Sequence, residues 1–180
     1  MKALLDWTLE SLRTDHAMMN WLEERRYEWA PLANNMLNQM MKGSSVIIIT
    51  DPEFDWLSKY ILKTINHPNV HRPLFPIFEA KTMFPFMDKM IAASNMEVMH
   101  DMLNISFKEG YTFWYIGRSN HISSTFAKEQ RNSFLWVMDE EIQNSFFLRS
   151  ADDLLDLKLL HMVRLFDKTL DAVFDGEIEL

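Results

Sequence analysis

Residues 43–51 read Gly43-Ser44-Ser45-Val46-Ile47-Ile48-Ile49-Thr50-Asp51, and the four β-branched residues in succession decide the fold. A strand wet on one face alternates apolar with polar residues. An unbroken apolar run instead fits a strand covered on both faces, as in a parallel sheet. Asp51 and Pro52 then supply a helix cap and a first-turn proline. The chain is expected to leave a buried strand directly into a helix. Open α/β sheets hold their ligands just past such strand ends. Here that place reads Thr50-Asp51-Pro52-Glu53, with no glycine and no base.

Outward from this strand, apolar spacing supplies the other elements. Residues 4–13 are expected to be helical, with Leu5, Leu9 and Leu12 on one face. A second helical stretch covers about 16–41, where Met18, Leu22, Trp29, Leu32, Met36 and Met40 keep one stripe. Pro31 should kink or split it near Trp29, and Gly43 should end it. A helix over about 53–66 turns Phe54, Leu57, Ile61 and Ile65 inward. A second strand is expected at 74–78. Pro76 cannot donate to a ladder, so that strand belongs at a sheet edge. Residues 82–103 hold one or two short helices, interrupted near Ser94 and Asn95. A third strand, Y-T-F-W-Y-I, starts at Tyr111 and ends at Gly117, and a helix follows over about 121–130. A fourth strand spans 133–138 and a weaker fifth 145–148. Ser150 and Asp152 start a final helix that ends near Phe174.

Strands alternating with helices imply an α/β protein with a mostly parallel sheet, and right-handed crossovers put helices on both faces. The expected architecture is a three-layer, five-stranded parallel sheet of flavodoxin-like type. One domain is expected over 1–180: N-terminal helices in 2–42, the sheet core in 45–149 and the C-terminal helix in 152–174. That last helix carries two stripes. Leu155, Leu159, Met162, Phe166, Leu170 and Val173 make one, and Leu154, Leu157, His161 and Leu165 the other. The second stripe means that the helix is wedged between two layers or packs against another subunit.

The chain has no cysteine, which excludes thiol catalysis and thiolate metal sites and fits a reducing, cytoplasmic compartment. No run of about 18 apolar residues suggests a membrane span. The N-terminus carries Asp6 and lacks a secretory apolar core, so it reads as mature protein. A net charge of −8 argues against direct nucleic acid binding. The adjacent cations Arg25 and Arg26 follow Glu23 and Glu24, as on a solvated helix face. Six tryptophans, thirteen phenylalanines and fourteen methionines suit both cores and protein interfaces.

Four glycines leave no way to write G-x-G-x-x-G or the P-loop pattern. Gly117 alone follows a strand. There Arg118, Ser119, Ser123 and Ser124 are an alternative anion site at a helix start, which would make the chain a phosphosugar- or anion-binding enzyme or sensor; the other reading is an ordinary strand-to-helix turn capped by Ser119 or Asn120. His67 and His71 are separated by Pro68, a poor frame for zinc. His121 lies near Ser119 and Ser123 as a nucleophile and base would, but residues two apart on a helix point to different faces, and spacing alone does not certify a catalytic constellation. His16 and His100 read as solvated, and His161 as partly buried. Asp139, Glu140 and Glu141 form an acidic turn that would suit magnesium only beside a phosphate loop. Asp152 and Asp153 suit a helix start. No catalytic residue, metal ligand or cofactor is assigned.

Four segments together resemble the HobA family of bacterial replication-initiation regulators. They are L-D-W-T-L-E-S-L-R (5–13), W-L-E-E-R-R-Y-E-W-A-P-L (21–32), V-I-I-I-T-D-P-E-F-D-W-L-S-K-Y-I-L-K-T-I-N (46–66) and R-P-L-F-P-I-F (72–78). The resemblance covers essentially the whole chain. It implies a sugar-isomerase-like fold and a homotetramer. It also implies binding to the N-terminal region of DnaA and help in assembling DnaA at the origin, as DiaA does in other bacteria. Sugar isomerase domains hold phosphosugars in loops after the strands, whereas Asp51 and Glu53 here would repel a phosphate. The resemblance therefore implies a fold kept for binding. Candidate partner or subunit contacts are Trp7, Trp21 and Trp29 on the N-terminal helices, and Leu154, Leu157 and Leu165 on the last.

Overall fold

The computed structural model describes residues 2–14, 19–92 and 95–180; His16, Met18 and Ser94 lie outside the described residues. Five strands form one parallel sheet: β2 (Ser45–Thr50), β3 (Ile77–Glu79), β4 (Tyr111–Arg118), β5 (Phe134–Met138) and β6 (Ser145–Leu148), in the order β3-β2-β4-β5-β6. β2 is buried at all six positions, as its unbroken β-branched run requires. Fully burying each such side chain is worth about 1.5–3 kcal/mol. Outside this sheet, β1 (Lys2–Ala3) pairs in parallel with β7 (Ile178–Glu179) and ties the two chain ends together.

Alternate residues of each strand feed two separate cores. Val46, Ile48, Trp114, Ile116, Phe134, Trp136 and Phe146 face one side. There they meet α1 (Leu4–Thr14), α2 (Asn20–Glu24), α3 (Arg26–Met41), α4 (Asp55–Ile65) and α9 (Leu155–Phe174). Ile47, Ile49, Phe113, Tyr115, Leu135 and Val137 face the other side. They meet α5 (Ala80–Met83), α6 (Met87–Ala92), α7 (Met96–Ser106) and α8 (Ile122–Glu129). The three layers and the parallel sheet expected from the sequence are both present.

Local chemistry sets the boundaries. Gly43, at φ +90°, ends α3; the Gly43 amide returns to the Met40 carbonyl at 3.0 Å and Ser44 to Gln39 at 3.1 Å. Only glycine adopts this left-handed geometry without strain. β3 is an edge strand, and Pro76 just before it contributes its carbonyl to the Val46 amide at 2.9 Å. On α4 the buried set includes Leu57, Ile61 and Ile65, with Phe54 in the 3-10 turn that precedes it.

Several expectations are corrected. The N-terminal helical stretch breaks at Arg25, and Pro31 sits inside a continuous α3. The break lets Arg25 donate to the Phe147 carbonyl at 2.7 Å, covering the open edge of β6, while its guanidinium lies 4.1 Å from the Phe146 ring centre. On α1 the buried positions are Leu4, Thr8 and Leu12, so its inner face is rotated away from Leu9. The last helix begins at Leu155; Asp152 serves its start by accepting from the Leu154 amide at 2.9 Å. His121, not Ser119 or Asn120, caps α8, its ring nitrogen accepting from the Ser123 amide.

Candidate functional site

From β2 the chain crosses to β3 on one side, and the next strand, β4, lies on the other. Connections diverge between β2 and β4, so their carboxyl ends frame the crevice where doubly wound sheets take ligands. In this protein Asp51 fills that place. It is 3% exposed. Its Oδ2 accepts the Arg118 backbone N–H at 2.7 Å, and its Oδ1 accepts the Tyr115 hydroxyl at 2.8 Å. The His121 Nδ1 lies 3.2 Å from Oδ1. Burial, and then the charge of Asp51, push the Tyr115 phenol far above its usual range, so it stays a donor. A Cβ on Gly117 would stand 2.3 Å from Oδ1, so the carboxylate requires glycine there. Asp51 was expected to cap the following helix; its side chain makes no cap hydrogen bond and spans to β4 instead.

The four residues of the alternative anion site do not converge on open space. The Arg118 guanidinium pairs with Glu53, Nε to Oε1 at 3.1 Å. The Ser119 hydroxyl accepts from Lys128 Nζ at 2.8 Å, and Ser123 donates to Asp88 at 2.7 Å. Ser124 is buried beside the Tyr115 phenol. Next to the crevice, Glu53, Trp56, Arg118, Asp152, Asp153 and Asp156 help to line a cavity of about 340 Å³ whose charge is mostly negative. The Asp139 carboxylate of the acidic turn bonds the Ser150 amide and hydroxyl. Those bonds hold its pKa below the ordinary value. His100, expected to be solvated, is half-buried, bonding the Tyr111 hydroxyl and Glu129 at 2.9 Å each.

The six contact candidates separate. Trp29 is 0% exposed and packs against Phe134, Trp136 and Phe146; Leu165 is likewise buried. Neither offers a side chain to a partner. The second stripe of α9 thus divides: its Leu165 end is wedged into the protein's own core, while Leu154 is 57% exposed and Leu157 half-buried. Trp21 is half-buried at a cavity of about 360 Å³ shared with Arg25, Arg149, Asp152 and Lys158, and the Lys158 ammonium lies 5.1 Å from its ring. Trp7 lines a different cavity and donates to Glu177 at 3.0 Å.

One apolar face escaped the sequence reading. On α7, Val98, Met102 and Ile105 are 51%, 42% and 76% exposed, while Met99 and Leu103 are buried. Their i, i+4, i+7 spacing was legible, but the adjacent inward stripe merges with it into one wide apolar arc.

Comparison with known proteins gives consistent results over the full length. The model of the HobA family, described as a DNA replication regulator, matches residues 1–180. The DNA replication regulator protein HobA of Helicobacter pylori is 27% identical over 188 residues, covering all of both chains. A crystal structure of a HobA-DnaA (domain I-II) complex from Helicobacter pylori matches at 26% identity with a TM-score of 0.78, covering 100% of both chains. A crystal structure of HobA from the same organism has the same fold, with a TM-score of 0.73 at 24% identity over 100% of this chain and 99% of that one. With its whole length matched in sequence and in fold, this chain belongs to the HobA family of DNA replication regulators.

Proposed function

We propose that this chain is a non-enzymatic adaptor that binds the N-terminal region of DnaA and promotes DnaA oligomerisation at the replication origin. The observation that carries this reading is the full-length likeness to a HobA solved with DnaA domain I-II. The strand-end crevice supports it, because the chain's own carboxylate fills the place where an α/β enzyme would take substrate. The adaptor works in the cytoplasm as a homotetramer without touching nucleic acid or membrane. Its net charge of −8 disfavours phosphate backbones, and no helix among the described residues is long and apolar enough to cross a bilayer. A multimer showing one modest site per subunit raises the effective concentration of its bound partners. Trp7, Trp21, Leu154 and Leu157 remain the proposed contacts, and the exposed stripe of α7 joins them as an apolar surface.

The test is a pull-down with the purified DnaA N-terminal region, followed by light scattering on the eluate. The expected result is a complex of several DnaA copies per multimer. No complex at micromolar concentrations would overturn the adaptor reading.

A further inference from the structure

The two edges of the parallel sheet are guarded differently. β3 is one edge, and Pro76 just before it has no N–H to offer an incoming strand. β6 is the other edge, with no strand beyond it among the described residues. In a strand, the main-chain groups of successive residues point alternately to the two sides. The Leu148 carbonyl turns inward and accepts the Asp139 amide at 2.9 Å, whereas the Phe147 carbonyl turns outward and accepts Arg25 Nη1 at 2.7 Å. The Phe147 N–H and the Ser145 carbonyl share that outward phase, and both residues are half-buried. The guard on β6 is thus a single side chain. Arg25 crosses a groove along the strand and divides it into two cavities, with Phe147 lining both. On one side Trp21, Arg149, Asp152 and Lys158 help to line about 360 Å³; on the other Glu28, Glu141 and Ile142 help to line about 350 Å³. The Arg25 guanidinium pairs with Glu28, Nε to Oε1 at 3.1 Å, but half-exposed pairs hold a side chain weakly. The whole chain carries a net charge of −8, yet the Trp21 cavity gathers the cations Arg25, Arg149 and Lys158 against the one acid Asp152. That inverted sign attracts a carboxylate, and the outward N–H and C=O groups attract an extended main chain.

We propose that the outer edge of β6 is a strand-addition site for an extended segment of another protein, with an acidic residue of that segment seated in the Trp21 cavity. Arg25 is the gate. It leaves the Phe147 carbonyl to pair with the incoming acid, so the edge opens to acidic strands and stays closed to others. The site stands whether or not Trp21 also meets DnaA.

The experiment titrates the full chain with the fluorescein-labelled peptides D-T-V-T-V-T and T-V-T-V-T-D, followed by anisotropy. Counterparts carry lysine in place of aspartate, or methyl groups on alternate main-chain nitrogens in either phase. At least one acidic peptide should bind saturably and at least fivefold more tightly than its lysine counterpart; the better of the two gives the strand direction. Methylation in one of the two phases should abolish binding, and hydrogen exchange at the Phe147 amide should slow when the peptide is bound. Arg25→Ala, which removes the gate, should bind the lysine peptides more tightly than the intact chain does. Arg149→Glu should narrow the preference for acid at least threefold. If Arg25→Ala does not fold, Arg25→Gln takes its place. Failure of both acidic peptides to bind the intact chain and the Arg25 variant overturns the proposal, as does binding that leaves Phe147 exchange unchanged. A Phe147 amide already protected in the free chain, losing protection on dilution as the mass by light scattering falls, assigns the edge to a second copy and also overturns it.

Discussion

Gly117 is the residue on which the closed crevice turns. It lies within β4, and no positive φ demands glycine there; the demand comes from Asp51 across the strand pair. Gly117→Ala must push the carboxylate off the Arg118 amide and the Tyr115 hydroxyl. A loss of about 2–4 kcal/mol in urea denaturation is expected, from overpacking and two displaced hydrogen bonds together. Gly176→Ala, at a turn with nothing near its Cβ, should cost only its left-handed strain, about 1 kcal/mol. Equal losses in the two variants would refute the close-approach argument. Two aspartates set an acid limit. Asp139 is held below its ordinary value of 3.8 by the Ser150 hydroxyl and amide, and Asp152 by Lys158 and the Leu154 amide. A carboxyl with a lowered folded pKa adds stability above its unfolded pKa, and that stability is lost as pH falls through the folded value. The melting temperature should therefore fall on acidification from about pH 4 downward, and the Asp139→Asn, Asp152→Asn double variant should show a shallower fall over the same range. At this scale the sequence was only partly legible. Asp51 before Pro52 carries every local sign of a cap, and nothing in neighbouring residues tells that β4 will deliver Tyr115 and Arg118 beside it.

At the scale of elements, periodicity was a good guide wherever one face met one core. β2, β6 and the inward residues of α4 matched their expected positions because a single hydrophobic face fixes them. It was a poorer guide where a long-range polar contact set the geometry. α3 starts after Arg25 because that side chain reaches the edge of β6, a contact 122 residues away in the chain. The loop between α4 and β3 is another such case. Arg72, buried within it, bonds Asp167 and Asp171 of α9 and the Ile65 carbonyl at 3.0 Å. Arg72→Met should remove about 3 kcal/mol, near the lower end for breaking a buried pair, because Asp171 is half exposed and regains water. Equilibrium unfolding in urea measures this. A loss below ~1 kcal/mol would mean that the loop is held by its apolar contacts alone.

For the whole molecule, function is read from surfaces, and burial has sorted them. Trp29 shows the limit of reading anchors from residue type: large aromatics serve cores and interfaces alike, and only the fold assigned it to the core. Leu154 passes that sorting. It is 57% exposed at the start of α9, and its amide is held by Asp152, which also helps to line the Trp21 cavity. An exposed leucine contributes little to folding, so Leu154→Asp should change unfolding free energy by no more than about 0.5 kcal/mol. If it anchors DnaA in a desolvated contact, the same change should weaken binding at least tenfold, about 1.4 kcal/mol or more. Calorimetric titration of the DnaA N-terminal region measures the affinity, and light scattering of the free variant measures its mass. Weaker binding at unchanged mass assigns Leu154 to the partner surface. A smaller mass assigns it to the subunit contact, and weaker binding then follows from lost multivalency. Unchanged affinity and mass would remove Leu154 from the working surface. The exposed stripe of α7 would then be the next apolar face to test, by Ile105→Glu with the same two measurements.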